Sequence, residues 1–270
     1  MHLHIIDHYQ KMKSPIHRLD GRVKLVFIVS VILSCTLLPT NAWPAYILLF
    51  SVMVALILLS DLNIAYVMKR SLLVLPFLLT ALPLIFRASE PSIITYTVDK
   101  ITITISQGGL IRFTSLGIKS WLSVIAAILL ASTTSFTELL LAMRSLKTPR
   151  LLVAVFGLMW RYLFLMFEEV ERLMRARLSR SGRDLSSPRR LGGSLMWRAG
   201  VTGGMAGSLF VRSLERSERV YNSMLARGYD GEIRSLEEPP IQSGVLLWLI
   251  IAVAGLFLLV IVTNLLMGSL

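Results

Sequence analysis

At 270 residues, 54% hydrophobic side chains and a mean hydropathy of +0.69, the chain is too apolar for an ordinary soluble domain. Its net charge of +12 comes from 28 Lys+Arg against 16 Asp+Glu. Beside long apolar runs this reads as the basic bias of cytoplasmic loops and contact with membrane lipid, not as a nucleic-acid surface. The single cysteine, Cys35, excludes an intramolecular disulfide and a cysteine-based metal cluster.

The first 24 residues are polar and carry all four histidines, His2, His4, His8 and His17. They lack the layout of a signal peptide, so no cleaved segment is expected. His2, His4, Asp7 and His8 have two readings, a transition-metal site suited to imidazole and a frayed polar terminus. Asp20-Gly21 is a turn signal that ends this arm.

Four apolar runs follow, at residues 25–38, 43–60, 71–86 and 116–131. The third contains Pro76 and Pro83, which predict kinks within a span. Between the third and fourth, residues 95–105 alternate Thr with Tyr, Val and Ile. That period predicts a small extracytoplasmic β-hairpin turning at Asp99-Lys100 and ending at Gly108-Gly109, with an irregular loop as the alternative.

From Ser135 the pattern becomes helical and basic. Ser135-Phe136-Thr137-Glu138 is a capping box opening a helix that runs to Pro149. A second helix places Leu163, Phe167, Val170 and Met174 opposite Glu168, Glu171, Arg172 and Arg175. Its apolar start could dip into the membrane, but Arg161 follows too soon for a span. After a break at Ser186-Ser187-Pro188, a third helix puts Phe210, Leu214, Tyr221 and Leu225 on one face, expected to be buried. Glu215 and Arg219 are spaced for an ion pair on another face. Gly228 suits a left-handed helix cap. The glycines Gly200, Gly203, Gly204 and Gly207 lack a P-loop lysine and predict close helix packing instead. Beyond the acidic linker Glu237-Glu238-Pro239-Pro240, residues 244–267 form the clearest spanning helix.

The expected architecture is therefore an all-α integral membrane protein with about five transmembrane helices. Residues 1–133 comprise a cytoplasmic N-terminal arm and spans one to four. Residues 134–240 form a cytoplasmic helical domain, and 241–270 the last span. Placing the basic segments inside sets the N-terminus in the cytoplasm of a multi-pass protein of the inner (cytoplasmic) membrane. Nothing in the pattern supplies a catalytic base, a nucleophile or a nucleotide loop, so a non-catalytic subunit is expected, with no cofactor.

Three stretches together resemble the transmembrane coupling subunit, or T component, of energy-coupling factor (ECF) transporters. They are Ser135-Phe136-Thr137-Glu138-Leu139-Leu140 followed by Pro149; Arg161-Tyr162 with Glu169 and Arg172 behind it; and Met224-Leu225-Ala226-Arg227-Gly228-Tyr229-Asp230-Gly231. The opening Ile6-Asp7-His8-Tyr9, with Ser14-Pro15 and Arg22-Val23-Lys24-Leu25, is similar to the cobalt-transport branch of that family, the CbiQ proteins. The resemblance implies an ATP-driven importer for cobalt or nickel. It would have two ABC-type ATPase subunits and a CbiM-like substrate-binding membrane subunit (S component). It also implies ATPase-coupling motifs at Ala176-Arg177-Leu178 and Ala226-Arg227-Gly228, the first departing from the usual small third residue at Leu178. Other readings stay open: the T component of a vitamin transporter, a membrane enzyme acting on a phosphorylated lipid, and an anchor that uses its charge non-specifically.

Overall fold

The computed structural model describes residues 14–86, 92–98, 101–180, 194–231 and 243–268. The hairpin turn Asp99-Lys100, the break at Ser186-Ser187-Pro188, the acidic linker and His2, His4, Asp7 and His8 lie outside them. The chain divides into two units, Met1–Ser145 with Glu238–Leu270, and Leu146–Glu237.

In the first unit, Asp20 opens α1 (Gly21–Leu37), its carboxylate accepting from the Arg22 amide at 3.1 Å. Pro44 sits in the first turn of α2 (Trp43–Leu59), where no amide hydrogen is needed. Each has 17 residues, roughly 25 Å at 1.5 Å per residue, against a hydrocarbon core of about 30 Å. The expected third span is not one helix. It resolves into α3 (Ile64–Ser71), a 3-10 turn at Leu72–Val74, α4 (Leu75–Thr80) and a second 3-10 turn at Leu82–Phe86. Pro76 and Pro83, lacking an amide hydrogen, fall in the pieces after each break.

Two antiparallel strands follow, β1 (Ser92–Val98) and β2 (Ile101–Ser106), pairing Val98 with Ile101 and Thr95 with Thr104. Gly108-Gly109 does not end the hairpin but lies in the first turn of α5 (Gln107–Thr133). A Cβ on Gly109 would stand 2.7 Å from the Leu84 carbonyl oxygen, so glycine is what lets α5 approach the preceding 3-10 turn. Ser135 caps α6 (Phe136–Ser145), accepting from the Glu138 amide at 3.3 Å. The last element is α9 (Ser243–Gly268).

The core of this unit is built on α5. Its Leu122, Ile125, Ala126 and Leu129 pack with Val31 and Cys35 of α1, Leu49, Met53 and Ile57 of α2, and Val67 of α3, and Leu256 and Val260 of α9 join the same cluster. Trp121 stacks on Phe50 at 5.7 Å and donates to the Ser71 hydroxyl at 2.9 Å.

Two lysines, one buried and one half-buried, fasten α1 to α5. Lys24, 4% exposed, donates to the Thr133 carbonyl at the end of α5 (3.0 Å) and to His17 O (3.2 Å). Lys119 of α5 donates to the Thr36 and Leu38 carbonyls at the end of α1. Each helix thus caps the other's C-terminus, satisfying carbonyls that have no intrahelical partner and placing positive charge at the negative end of each dipole. The reciprocity requires that α1 and α5 run antiparallel.

Among the described residues, α5, α9 and α7 (Arg150–Arg180) are long and apolar enough to cross a membrane. The sequence reading placed no span in α7, which qualifies by length and composition alone because its apolar half carries only Arg150 and Arg161 up to Phe167.

Candidate functional site

The second unit consists, among the described residues, of α7 and α8 (Leu195–Ala226), joined through their sides. Ser194 caps α8, accepting from the Trp197 amide at 3.3 Å. Three pairings give the direction of the helices. Tyr162 lines a cleft with Val220, Glu169 pairs with Arg212, and Arg177 donates to the Thr202 hydroxyl at 3.2 Å. As the number rises along one helix it falls along the other, so the pair is antiparallel.

The two Ala-Arg motifs therefore lie at opposite ends. Ala176-Arg177-Leu178 is in the last turns of α7, where Arg177 is half-buried against Thr202 and Leu178 is 70% exposed. Ala226-Arg227-Gly228 closes α8, with all three residues exposed. Roughly 25 residues separate Thr202 from Arg227 along α8, which at 1.5 Å each puts the two arginines about 37 Å apart. The structure does not bring them into one site; it makes two.

The Arg227 end is a rigid tip. Gly228 takes φ +76° and donates to the Leu225 carbonyl at 2.9 Å, while the Tyr229 amide donates to Met224 O at 3.0 Å. These bonds form a Schellman cap, which turns the chain away directly after Arg227. The expectation that a buried apolar face sets the direction of this tip is wrong. Phe210 is 62% exposed, and Leu214, Tyr221 and Leu225 are exposed as well; no residue of α8 is buried. The glycines also fail to pack: a Cβ on Gly200, Gly203, Gly204 or Gly207 would meet nothing within 4 Å.

Helix geometry explains both corrections. The facing rows are Leu158, Tyr162, Met166, Glu169, Leu173 and Arg177 on α7, and Met205, Ser213, Ser217, Val220 and Met224 on α8, at three- and four-residue spacing. At about 100° per residue, the exposed rows through Leu163, Phe167 and Met174 and through Phe210, Leu214 and Tyr221 lie roughly 110° and roughly 90° further round in the same sense. Because the helices are antiparallel, the same rotation carries both rows to one side of the pair. That side is apolar; Arg161, Arg172, Arg212 and Arg219 fall on the other.

On the basic side, Arg172, Arg177, Arg180 and Arg212 surround Glu169 in a cleft of 620 Å³, walled by Trp197. Glu169 pairs with Arg212 and, at 3.6 Å, with Arg172. The expected Glu215–Arg219 ion pair does not form among the described residues. Thr202 and Arg180 were not singled out in the sequence, because neither stands out until the register of α7 against α8 is known. No cluster of metal-ligating side chains occurs among the described residues.

Residues 12–238 match the family model described as CbiQ, cobalt transport protein. The chain belongs to the CbiQ family. Relatives support the placement from two branches. The energy-coupling factor transporter transmembrane protein EcfT of Macrococcus caseolyticus is 27% identical, over 84% of this chain and 85% of its own. EcfT of Bacillus subtilis is 25% identical over 94% and 97%. The cobalt transport protein CbiQ of Rhodobacter capsulatus is 30% identical, over 48% of this chain and 49% of its own. As a member of the CbiQ family, the chain is an all-α transporter membrane subunit of the ECF T-component type, and it associates with other transporter components.

Proposed function

We propose that this chain is the coupling subunit of an ATP-driven importer, docking one ABC-type ATPase at each end of the α7–α8 pair. The observation that carries this is the placement of Arg177 and Arg227 about 37 Å apart at opposite ends of one antiparallel pair. A single groove cannot hold both, whereas two subunits can each take one. Arginine suits the task, since a guanidinium keeps its charge when desolvated and binds a carboxylate through two parallel hydrogen bonds. The unburied apolar side of the pair is the surface offered to the substrate-binding membrane subunit.

We place residues 134–240 in the cytoplasm, with the N-terminus on the same side of the inner membrane. Although α7 is long enough to cross, a span over its apolar half would hold Arg161 within the bilayer, at about 2.5–3.5 kcal/mol near the centre. The subunit is not itself an enzyme: the ATPases supply hydrolysis and the partner membrane subunit selects the cargo, cobalt or nickel. A vitamin transporter is the second reading, because the EcfT relatives, whose name specifies no substrate, align over more of the chain than the CbiQ relative does.

Purification from native membranes tests this. Two ATPase subunits should accompany each chain, uptake of radioactive cobalt or nickel should require ATP, and the isolated chain should bind no nucleotide. Nucleotide binding by the isolated chain would contradict the proposal, and uptake of a vitamin but neither metal would favour the second reading.

A further inference from the structure

An apolar cleft of 230 Å³ opens in the first unit, where α9 meets the start of α1 and the end of α5. Leu19, Phe27, Leu56, Leu129 and Leu249 are among its walls. Apart from the exposed Trp248 indole, the only polar side chains lining it are Lys24 and Thr133. Both are already committed. Lys24 donates to Thr133 O and His17 O, and the Thr133 hydroxyl donates to the Leu129 carbonyl at 2.7 Å. The lining therefore calls for an apolar occupant, since a polar one would find nothing to bond inside.

The helices α1 and α9 run parallel. The cleft joins their first halves, and near their far ends Asn264 donates to the Leu37 carbonyl at 3.4 Å. The residues by which α9 enters the core, Leu256 and Val260, lie in its second half. None of its cleft-lining residues, Val245, Trp248, Leu249 and Ala252, is buried. The first half of α9 thus leaves a wedge open beside α1. The rim of this wedge is cationic. Arg18, exposed, stands in the chain between the lining residues Ile16 and Leu19, and Arg22, half-buried, precedes the lining residue Val23. Asp20, the one acid between residues 14 and 24, accepts from the Arg22 amide. Trp248 is 72% exposed and lines the same cleft, as a tryptophan at headgroup level would.

We propose that the cleft holds one acyl chain of an anionic phospholipid, with its phosphate at Arg18. A hydrocarbon chain matches the lining and a negative headgroup matches the rim; basic pockets between spanning helices are where anionic headgroups settle. A neutral lipid would leave Arg18 unused, and a peptide would bring backbone amides that the lining cannot answer. Held there, the chain is a wedge that completes the packing of α9 against α1. That the leaflet is the cytoplasmic one rests on the orientation proposed above; the site itself, probed in detergent, does not.

Native mass spectrometry of the full chain in detergent tests this, with phosphatidylglycerol and phosphatidylcholine of identical acyl chains as probes. One phosphatidylglycerol should be retained per chain, about fivefold more tightly than phosphatidylcholine, as one arginine near the headgroups implies. Arg18→Gln should erase most of that preference while both lipids still bind. Ala252→Phe, which fills the cleft from α9, should remove retention of either lipid. Ala254→Phe, exposed on another side of the same helix, should not. If Ala252→Phe does not fold, as judged by size exclusion, Ala252→Leu serves instead, with a partial loss expected. Thermal unfolding gives an independent readout. A hundredfold excess of phosphatidylglycerol over its Kd should raise the midpoint of the unaltered chain by about 5 °C or more, and that of Ala252→Phe not at all. Equal retention of the two phospholipids, unaltered retention in Ala252→Phe, or an equal loss in Ala254→Phe would each overturn the proposal. So would binding of glycerol phosphate, a headgroup without chains, as tight as that of the phospholipid.

Discussion

Arg227→Ala should weaken assembly with the ATPases by well over tenfold and abolish ATP-driven uptake while leaving the membrane unit folded. The Schellman cap at Gly228 and Tyr229 holds the C-terminus of α8 in one direction, so Arg227 projects from a tip that needs no ordering when a partner arrives. If its guanidinium meets a carboxylate in a groove, truncation strands a desolvated acid, at about 2–5 kcal/mol. At about 1.4 kcal/mol per tenfold, this is a loss of roughly 30-fold or more in affinity. Arg227→Glu should be worse, because it sets like charges together. Arg219, exposed on the same helix away from its end, is the control, and Arg219→Ala should change binding by less than about threefold. Equal mild effects at both positions would mean that the basic unit acts only through diffuse charge.

The second large effect concerns stability. Lys24→Met keeps most of the side-chain volume but leaves the Thr133 and His17 carbonyls without the ammonium they bond. Each buried acceptor so stranded costs about 1–3 kcal/mol. Removing the cation also removes its own desolvation cost, yet breaking one side of a buried pairing is the destabilising case. Thermal unfolding of the purified chain should therefore fall by several degrees, at about 2–4 °C per kcal/mol for a chain of this size. Lys119→Met, which uncaps α1 in the same way, should behave alike. The two sites are about 21 Å apart along the helices, so the double variant should be close to additive. Lys69→Met, at an exposed position of α3, should leave the midpoint unchanged. No shift in Lys24→Met would show that the reciprocal caps do not hold the two helices together.

What could be read from the residues alone depended on range. Local signals held: Asp20, Ser135 and Gly228 each make the cap or turn their side chains and backbone freedom imply, because those effects act within four residues. Periodicity located the exposed row of Phe210, Leu214 and Tyr221 correctly as a stripe, but a stripe does not say what covers it. The seam of α7 and α8 runs instead through residues such as Glu169, Arg212 and Thr202, whose meeting depends on antiparallel register over some forty positions of chain. The glycines illustrate the same limit, since spacing permits close approach without requiring it. Pro76 and Pro83 were legible as kinks, while the division of that segment into four short pieces was not. The separation of Arg177 from Arg227 likewise had no sequence signal, being a consequence of pairing direction.

That separation is the central claim, and cysteine cross-linking measures it directly. Cys35 is buried, so a cysteine at position 177 or 227 can be addressed without removing it. Short cross-linkers on Arg177→Cys and on Arg227→Cys should each capture one ATPase subunit from the assembled complex. The double variant should yield a covalent species containing one copy of this chain and two ATPases. A double variant that captures only a single ATPase through both positions would contradict the account.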